Sequence, residues 1–196
     1  MKDIKIKIII KHNYPFFQEE KLLKRTIDMF QAEKDEIHLT KSLAVIVTKP
    51  KEEKEEKISI FIDKDIIQFN VKLNSNLLEL SDFIKILSQE EEVNLEPSLM
   101  IVESSLEMEP ELDTLNNLLK NSEKFNLQMV GLDFNGKECN YKISVVNKKE
   151  DLRLIFRTSL PSRKDFNLEN LEKETNITVQ EIYDEVLPSL REFIEG

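Results

Sequence analysis

Two guanidinium groups offer the clearest chemistry in this chain. Arg153 and Arg157 fall on one side of the alternating stretch Leu152 to Phe156, together with Ile155, while Leu152, Leu154 and Phe156 take the other side. Arg163 and Lys164 follow just beyond Pro161, so three of the five arginines occupy an 11-residue window. Forked guanidinium donors on a strand face could grip a carboxylate or phosphate on a ligand or partner. They could equally form cross-strand ion pairs with residues such as Glu138, each worth under about 1 kcal/mol. His12 and His38 are the only side chains whose ordinary titration range lies near neutrality. If their strands paired they would approach one another. No Ser sits on the constrained turn that a hydrolytic nucleophile needs, so capping or surface roles suit both histidines better.

The carboxylates are numerous but unspecific. Asp63-Lys64-Asp65 reads as a hairpin turn and lacks the spacing and Gly of a calcium loop. Glu103, Glu107, Glu109 and Glu111, with Glu90, Glu91 and Glu92, could meet a divalent cation or a basic partner, although solvated acidic loops are far commoner. Cys139 falls on the apolar face of its strand beside Tyr141 and Ile143, where a core thiol is expected rather than a nucleophile. The aromatic loop Tyr14-Pro15-Phe16-Phe17 would staple a helix to the sheet or expose an apolar contact. Asn176-Ile177-Thr178 has a glycosylation pattern that reads more simply as a helix cap.

Composition removes other chemistries. The three glycines stand at 131, 136 and 196, so no Gly-rich phosphate loop, dinucleotide fingerprint or nucleophile elbow can be built. One Cys and two His cannot make a structural zinc site. A net charge of -10, from 38 acidic and 28 basic side chains, argues against broad nucleic-acid binding. No apolar run approaches the roughly 20 residues of a bilayer span, and Asp3 with alternating Lys breaks any signal-like stretch. The expectation is a soluble, cytoplasmic protein without cofactor or metal.

The elements that must position these groups follow from periodicity. Ile4, Ile6, Ile8 and Ile10 alternate with Lys5, Lys7, Ile9 and Lys11, a strand with one buried face. Gln18 to Lys34 predicts a helix through Leu23, Ile27 and Phe30. Residues 37–49 predict one strand, central because apolar on both faces around Leu43 to Val47. Ile58 to Ile62 and Ile67 to Leu73 predict two more strands, and Asn76 with Glu79 predicts a capped helix over Leu77 to Leu87. Beyond the acidic stretch Gln89 to Glu96, Leu99 to Val102 predicts a strand and Pro110 the start of a helix. Phe125 to Phe134 and Lys137 to Val146 predict a hairpin around Asn135-Gly136. After the arginine strand, Thr178 with Glu181 predicts a capping box opening a last helix that Pro188 kinks.

The two parts, 1–96 and 97–196, thus repeat one order, β-α-β-β-β-α, as either a tandem duplication or a common grammar met twice. The fold class is α+β, antiparallel sheets with helices packed on one face. The stretch Asp151 to Arg163 (DLRLIFRTSLPSR) before an amphipathic helix resembles the ending of type III secretion chaperone-like domains. The duplicated layout resembles gyrase-inhibitor-like effector-binding domains. No residue role is carried over from either. The chemistry present favours a non-enzymatic binding protein, an adaptor, chaperone-like or antitoxin/immunity-type partner of another protein. The alternative is a receptor or enzyme for an anionic small molecule in a cleft between the halves, with Arg153, Arg157, Arg163 and His12 as candidate site residues. A homodimer through an unpaired sheet edge is a third expectation.

Overall fold

Alternate isoleucines make β1 (Lys2–His12) the centre of one continuous antiparallel sheet. The computed structural model describes residues 2–13, 21–48, 57–72, 77–89, 94–106, 129–148, 151–160 and 166–195. Among them the strands are β2 (Ile37–Leu39), β3 (Leu43–Val47), β4 (Ser59–Asp63), β5 (Ile66–Lys72), β6 (Leu95–Leu106), β7 (Met129–Asn135), β8 (Asn140–Lys148) and β9 (Asp151–Ser159). Their spatial order is β2-β3-β4-β5-β1-β6-β9-β8-β7. After β1 the chain crosses to the edge strand β2 and returns inward through β3 and β4 to β5, and after β6 it crosses to the opposite edge at β7 and returns through β8 to β9. The division at 96/97 falls inside β6. Pro97, which has no N–H to give a ladder, stands where the register between β1 and β6 slips.

Alternation along each strand sends one set of side chains to a common core. One row crosses all nine strands, from Ile37 and Ile46 through Ile60, Phe69, Ile8, Met100, Thr158 and Tyr141 to Phe134. Three helices supply the other wall of the same apolar cluster. Helix α1 (Lys21–Phe30) contributes Leu23 and Phe30, and α2 (Leu77–Ser88) contributes Leu80, Phe83, Ile84 and Leu87. Phe83 meets Phe30 edge-on at 5.5 Å between ring centroids and Phe69 of β5 at 6.1 Å, joining both helices to the sheet. The third helix runs as α3 (Leu171–Glu181), a π turn (Ile182–Val186) and α4 (Leu187–Glu195). Ser81 Oγ of α2 accepts the Leu171 N–H at 3.1 Å, seating that helix on α2.

Four expectations change. Residues 37–49 do not form one central strand. Thr40 Oγ1 accepts the Leu43 N–H at 3.0 Å and turns the chain, leaving β2 at the sheet edge with β3 beside it. Helix α1 stops at Phe30 because Gln31 takes a left-handed conformation (φ 49°), and Ala32 N–H bonds back to the Ile27 carbonyl at 3.1 Å. The Asn135-Gly136 hairpin turns instead on Lys137-Glu138, closed by the Gly136 N–H on the Cys139 carbonyl at 2.9 Å. The last helix starts seven residues before Thr178, capped by Asn170, whose side chain accepts the Lys173 N–H at 3.3 Å. Thr178 instead donates to the Glu174 carbonyl at 2.9 Å, within the helix.

Pro188 takes effect through the turn before it. It has no N–H for the Asp184 carbonyl, and its ring crowds that oxygen. The chain widens there, with Leu187 N–H bonding the Ile182 carbonyl five residues back. Ile182, Val186 and Leu190 keep facing the core at steps of four, while Tyr183 and Phe193 turn outward. Asn76, Pro110 and the segment expected as a helix after it lie outside the described residues.

Candidate functional site

Arg153 and Arg157 stand four positions apart on β9, about 13 Å along the strand. Glu103, opposite Ile155 on β6, stands between their two positions. Both project from the sheet face opposite the helices and are half-buried. Their fates differ. Arg153 Nη1 pairs with Glu103 Oε1 of neighbouring β6 at 3.0 Å, not with Glu138. Arg157 Nη1 donates to Ser144 Oγ at 2.8 Å. Register sets Lys142 of β8 directly opposite Arg157, and Asp133 of β7 directly opposite Lys142. Strand spacing puts each of these backbones about 5 Å from the next. Among the described residues, neither Lys142 nor Arg157 is paired with a carboxylate.

These side chains line a trough of about 560 Å³ on the open sheet face over β6, β9, β8 and β7, with Leu99, Asn135, Asn140 and Ser159 also in its wall. It lies within the second half of the chain rather than between the two halves. Arg163 lies outside the described residues.

The open face continues beyond the trough. Lys5, Lys7, Lys11 and Lys72 project from it, interleaved with half-buried Val45, Phe61, Ile9, Leu99, Ile101 and Ile155. Acids on this face include Glu96, Glu103 and Asp133. No helix among the described residues is long and apolar enough to cross a membrane.

His12 and His38 do not meet. His12 ends β1 and is 7% exposed; its Nε2 lies 2.9 Å from the Asp63 carbonyl, so that nitrogen carries the proton. The backbone N–H of His12 bonds the Asp65 carbonyl at 2.9 Å, so the residue ties β1 to the β4–β5 turn. His38 sits on edge strand β2, with β3, β4 and β5 between it and β1. Asp63 Oδ1 accepts the N–H groups of Asp65 (2.9 Å) and Ile66 (3.2 Å), which makes Asp63-Lys64-Asp65 the expected hairpin turn. Cys139 is buried and forms no disulfide, as its place on the apolar face suggested. No group of three or more His, Cys, Asp or Glu among the described residues is placed to hold a metal ion. The aromatic loop at 14–17 and the acids at 90–92 and 107–111 lie outside the described residues.

A second polar cluster escaped sequence reasoning. Glu181, the supposed capping-box acid, reaches from α3 to the β7–β8 hairpin. Its Oε2 accepts the Tyr141 hydroxyl proton at 2.6 Å and its Oε1 the Glu138 N–H at 2.7 Å. The carboxylate is 6% exposed and Tyr141 1% exposed. Burial, followed by the bond to Glu181, pushes the Tyr141 hydroxyl well above the usual phenol range. Gly136 is required here because a Cβ would stand 2.7 Å from the Cys139 carbonyl oxygen and 3.0 Å from Glu181 Cδ. On the hairpin tip, Lys137 pairs with Glu185 at 2.5 Å, and this bond raises the Lys137 ammonium above its ordinary value. A hollow of about 430 Å³ lies beside this clamp. Both carboxylate oxygens of Glu181 are occupied by chain donors, so the cluster holds the hairpin to the helix.

Compared with known protein families and with curated protein sequences, the chain matches none.

Proposed function

We propose that this is a binding protein acting by contact rather than turnover, and that it engages an acidic protein partner across the open sheet face. The observation behind this reading is the local reversal of charge. A chain of net charge -10 presents Lys5, Lys7, Lys11, Lys142, Arg153 and Arg157 on one sheet face, with apolar side chains between them. Apolar side chains interleaved with more cations than acids, the acids including Glu96, Glu103 and Asp133, suit a partner that buries area and carries net negative charge. A buried Cys139 outside any disulfide fits a reducing compartment such as the cytoplasm. From the centre outward β1-β5-β4-β3 matches β6-β9-β8-β7, which supports a tandem duplication of one β-α-β-β-β-α unit with β2 added at one edge.

Pull-down from the native host at low and high salt, with wild type and with Lys5→Glu/Lys7→Glu, tests the face. A partner held by wild type, weakened by salt and lost in the double variant is the expected result. Lys173→Glu on the exposed side of α3 serves as control and should leave capture intact. A partner retained by the double variant and lost with Lys173→Glu would place the contact on the helices and overturn the reading.

The anionic small-molecule reading keeps one observation in its favour. The trough over Arg157 falls within the 300–1,000 Å³ range of ligand pockets.

A further inference from the structure

We propose that Lys142 and Arg157 form the anchor for a single carboxylate side chain, Asp or Glu, of the partner. This rests on the open sheet face being the binding surface. Cations set directly opposite on neighbouring strands repel, a cost that sheets usually avoid or offset with a counter-charge. On β9 itself the contrast is plain, since Arg153 has its carboxylate in Glu103 while Arg157, among the described residues, bonds the neutral hydroxyl of Ser144. That hydroxyl bond holds the half-buried guanidinium in place, so little side-chain freedom remains to be lost on binding.

The rest of the trough narrows the chemistry. Asp133 shares the wall, so the three formal charges sum to about +1 at neutral pH, from two cations and one anion. A monoanion suits that sum better than a dianionic phosphate, which Asp133 would repel. Leu99, on the same wall, and Ile101, opposite Arg157 on β6, give an apolar surface beside the charged pair. An acidic residue next to an apolar one therefore fits, with Asn135 and Asn140 amides available to backbone groups of the same segment.

The test is a titration of the whole chain, isotope-labelled at arginine, with blocked Leu-Glu-Leu, blocked Leu-Gln-Leu and free butyrate, a monoanion like the Glu side chain, read at the arginine Nε–H resonances. Leu-Glu-Leu should shift Arg157 and leave Arg153 in place, with the Gln peptide at least tenfold weaker. Arg157→Gln and Lys142→Gln should each weaken the Glu peptide tenfold or more, and Arg157→Lys less. Arg153→Gln should change it less than twofold. Equal binding of the Glu and Gln peptides, or no shift at Arg157 with either, would overturn the anchor. Butyrate binding as tightly as the peptide would make the trough a small-carboxylate pocket and overturn the partner side chain. If Arg157→Gln spares a partner that Lys5→Glu/Lys7→Glu loses, the anchor falls while the open-face reading stands.

Discussion

On the core side of β8, the Glu181 carboxylate is buried with both oxygens bonded to chain donors, whereas one residue further along, on the open side, Lys142 faces Arg157 and neither is paired with a carboxylate among the described residues. Both clusters use charge, and both lie on the same two or three strands. The first is complete without any ligand, and its removal would leave buried donors stranded. The second carries an unbalanced charge in partly solvated ground, where repulsion is tolerable and a counter-charge from outside would be favourable. Completeness marks a fastening; imbalance marks a place of recognition.

The sharpest way to break that comparison is Glu181→Ala. It strands the Tyr141 hydroxyl and the Glu138 N–H, and a loss of about 2–4 kcal/mol is expected in denaturant unfolding. Glu181→Gln keeps an acceptor and should lose less. Gly136→Ala comes next, at about 1–3 kcal/mol, because the added methyl meets the Cys139 carbonyl and the Glu181 carboxylate. Combining it with Glu181→Ala relieves one of those contacts, so the double variant should lose less than the sum of the singles.

A third test uses pH. Tyr141 holds its proton more tightly folded than unfolded, so its contribution is complete below about pH 10, the unfolded value, and fades as pH rises above it. Lys137 acts in the same direction, being raised as well. Unfolding free energy should therefore fall above about pH 10, and more steeply in wild type than in Tyr141→Phe. Equal slopes would remove the clamp from the account. The smallest effect is expected on the open side. Arg157→Gln or Lys142→Gln should change stability by less than about 0.5 kcal/mol, or raise it, while affecting binding. A large destabilisation by either would make that pair a fastening too and erase the contrast.

The strands were largely readable because alternation is local. Ile4 to Ile10, Ile67 to Val71 and Cys139 to Val145 all face the core as their spacing requires. The break at Thr40 was not, since a hydroxyl capturing a backbone N–H outweighed an apolar run. Thr178 and Glu181 matched a capping box by type and spacing, yet Asn170 starts the helix upstream and Glu181 is drawn to a hairpin 40 residues away by Tyr141. Strand alternation already placed Lys142 on the outward side of β8. That it faces Arg157 depends on the β8–β9 register, which no single segment encodes. Arg153 and Arg157 were correctly set on one face, but their four-residue separation sends them to different partners.

The central position of β1 also bears on how the chain assembles. Successive strands in each wing are joined by short connections, β4 to β5 and β7 to β8 among them, so those pairs can close early at little entropic cost. β1 must instead wait for β5 and β6, which lie some sixty and ninety residues downstream in its registers with Ile66 and Leu99. The strand made first is thus the keystone set last. Pulse-labelled amide exchange should protect the β7–β8 hairpin before Ile6 and Ile8, and the opposite order would show that β1 nucleates the sheet.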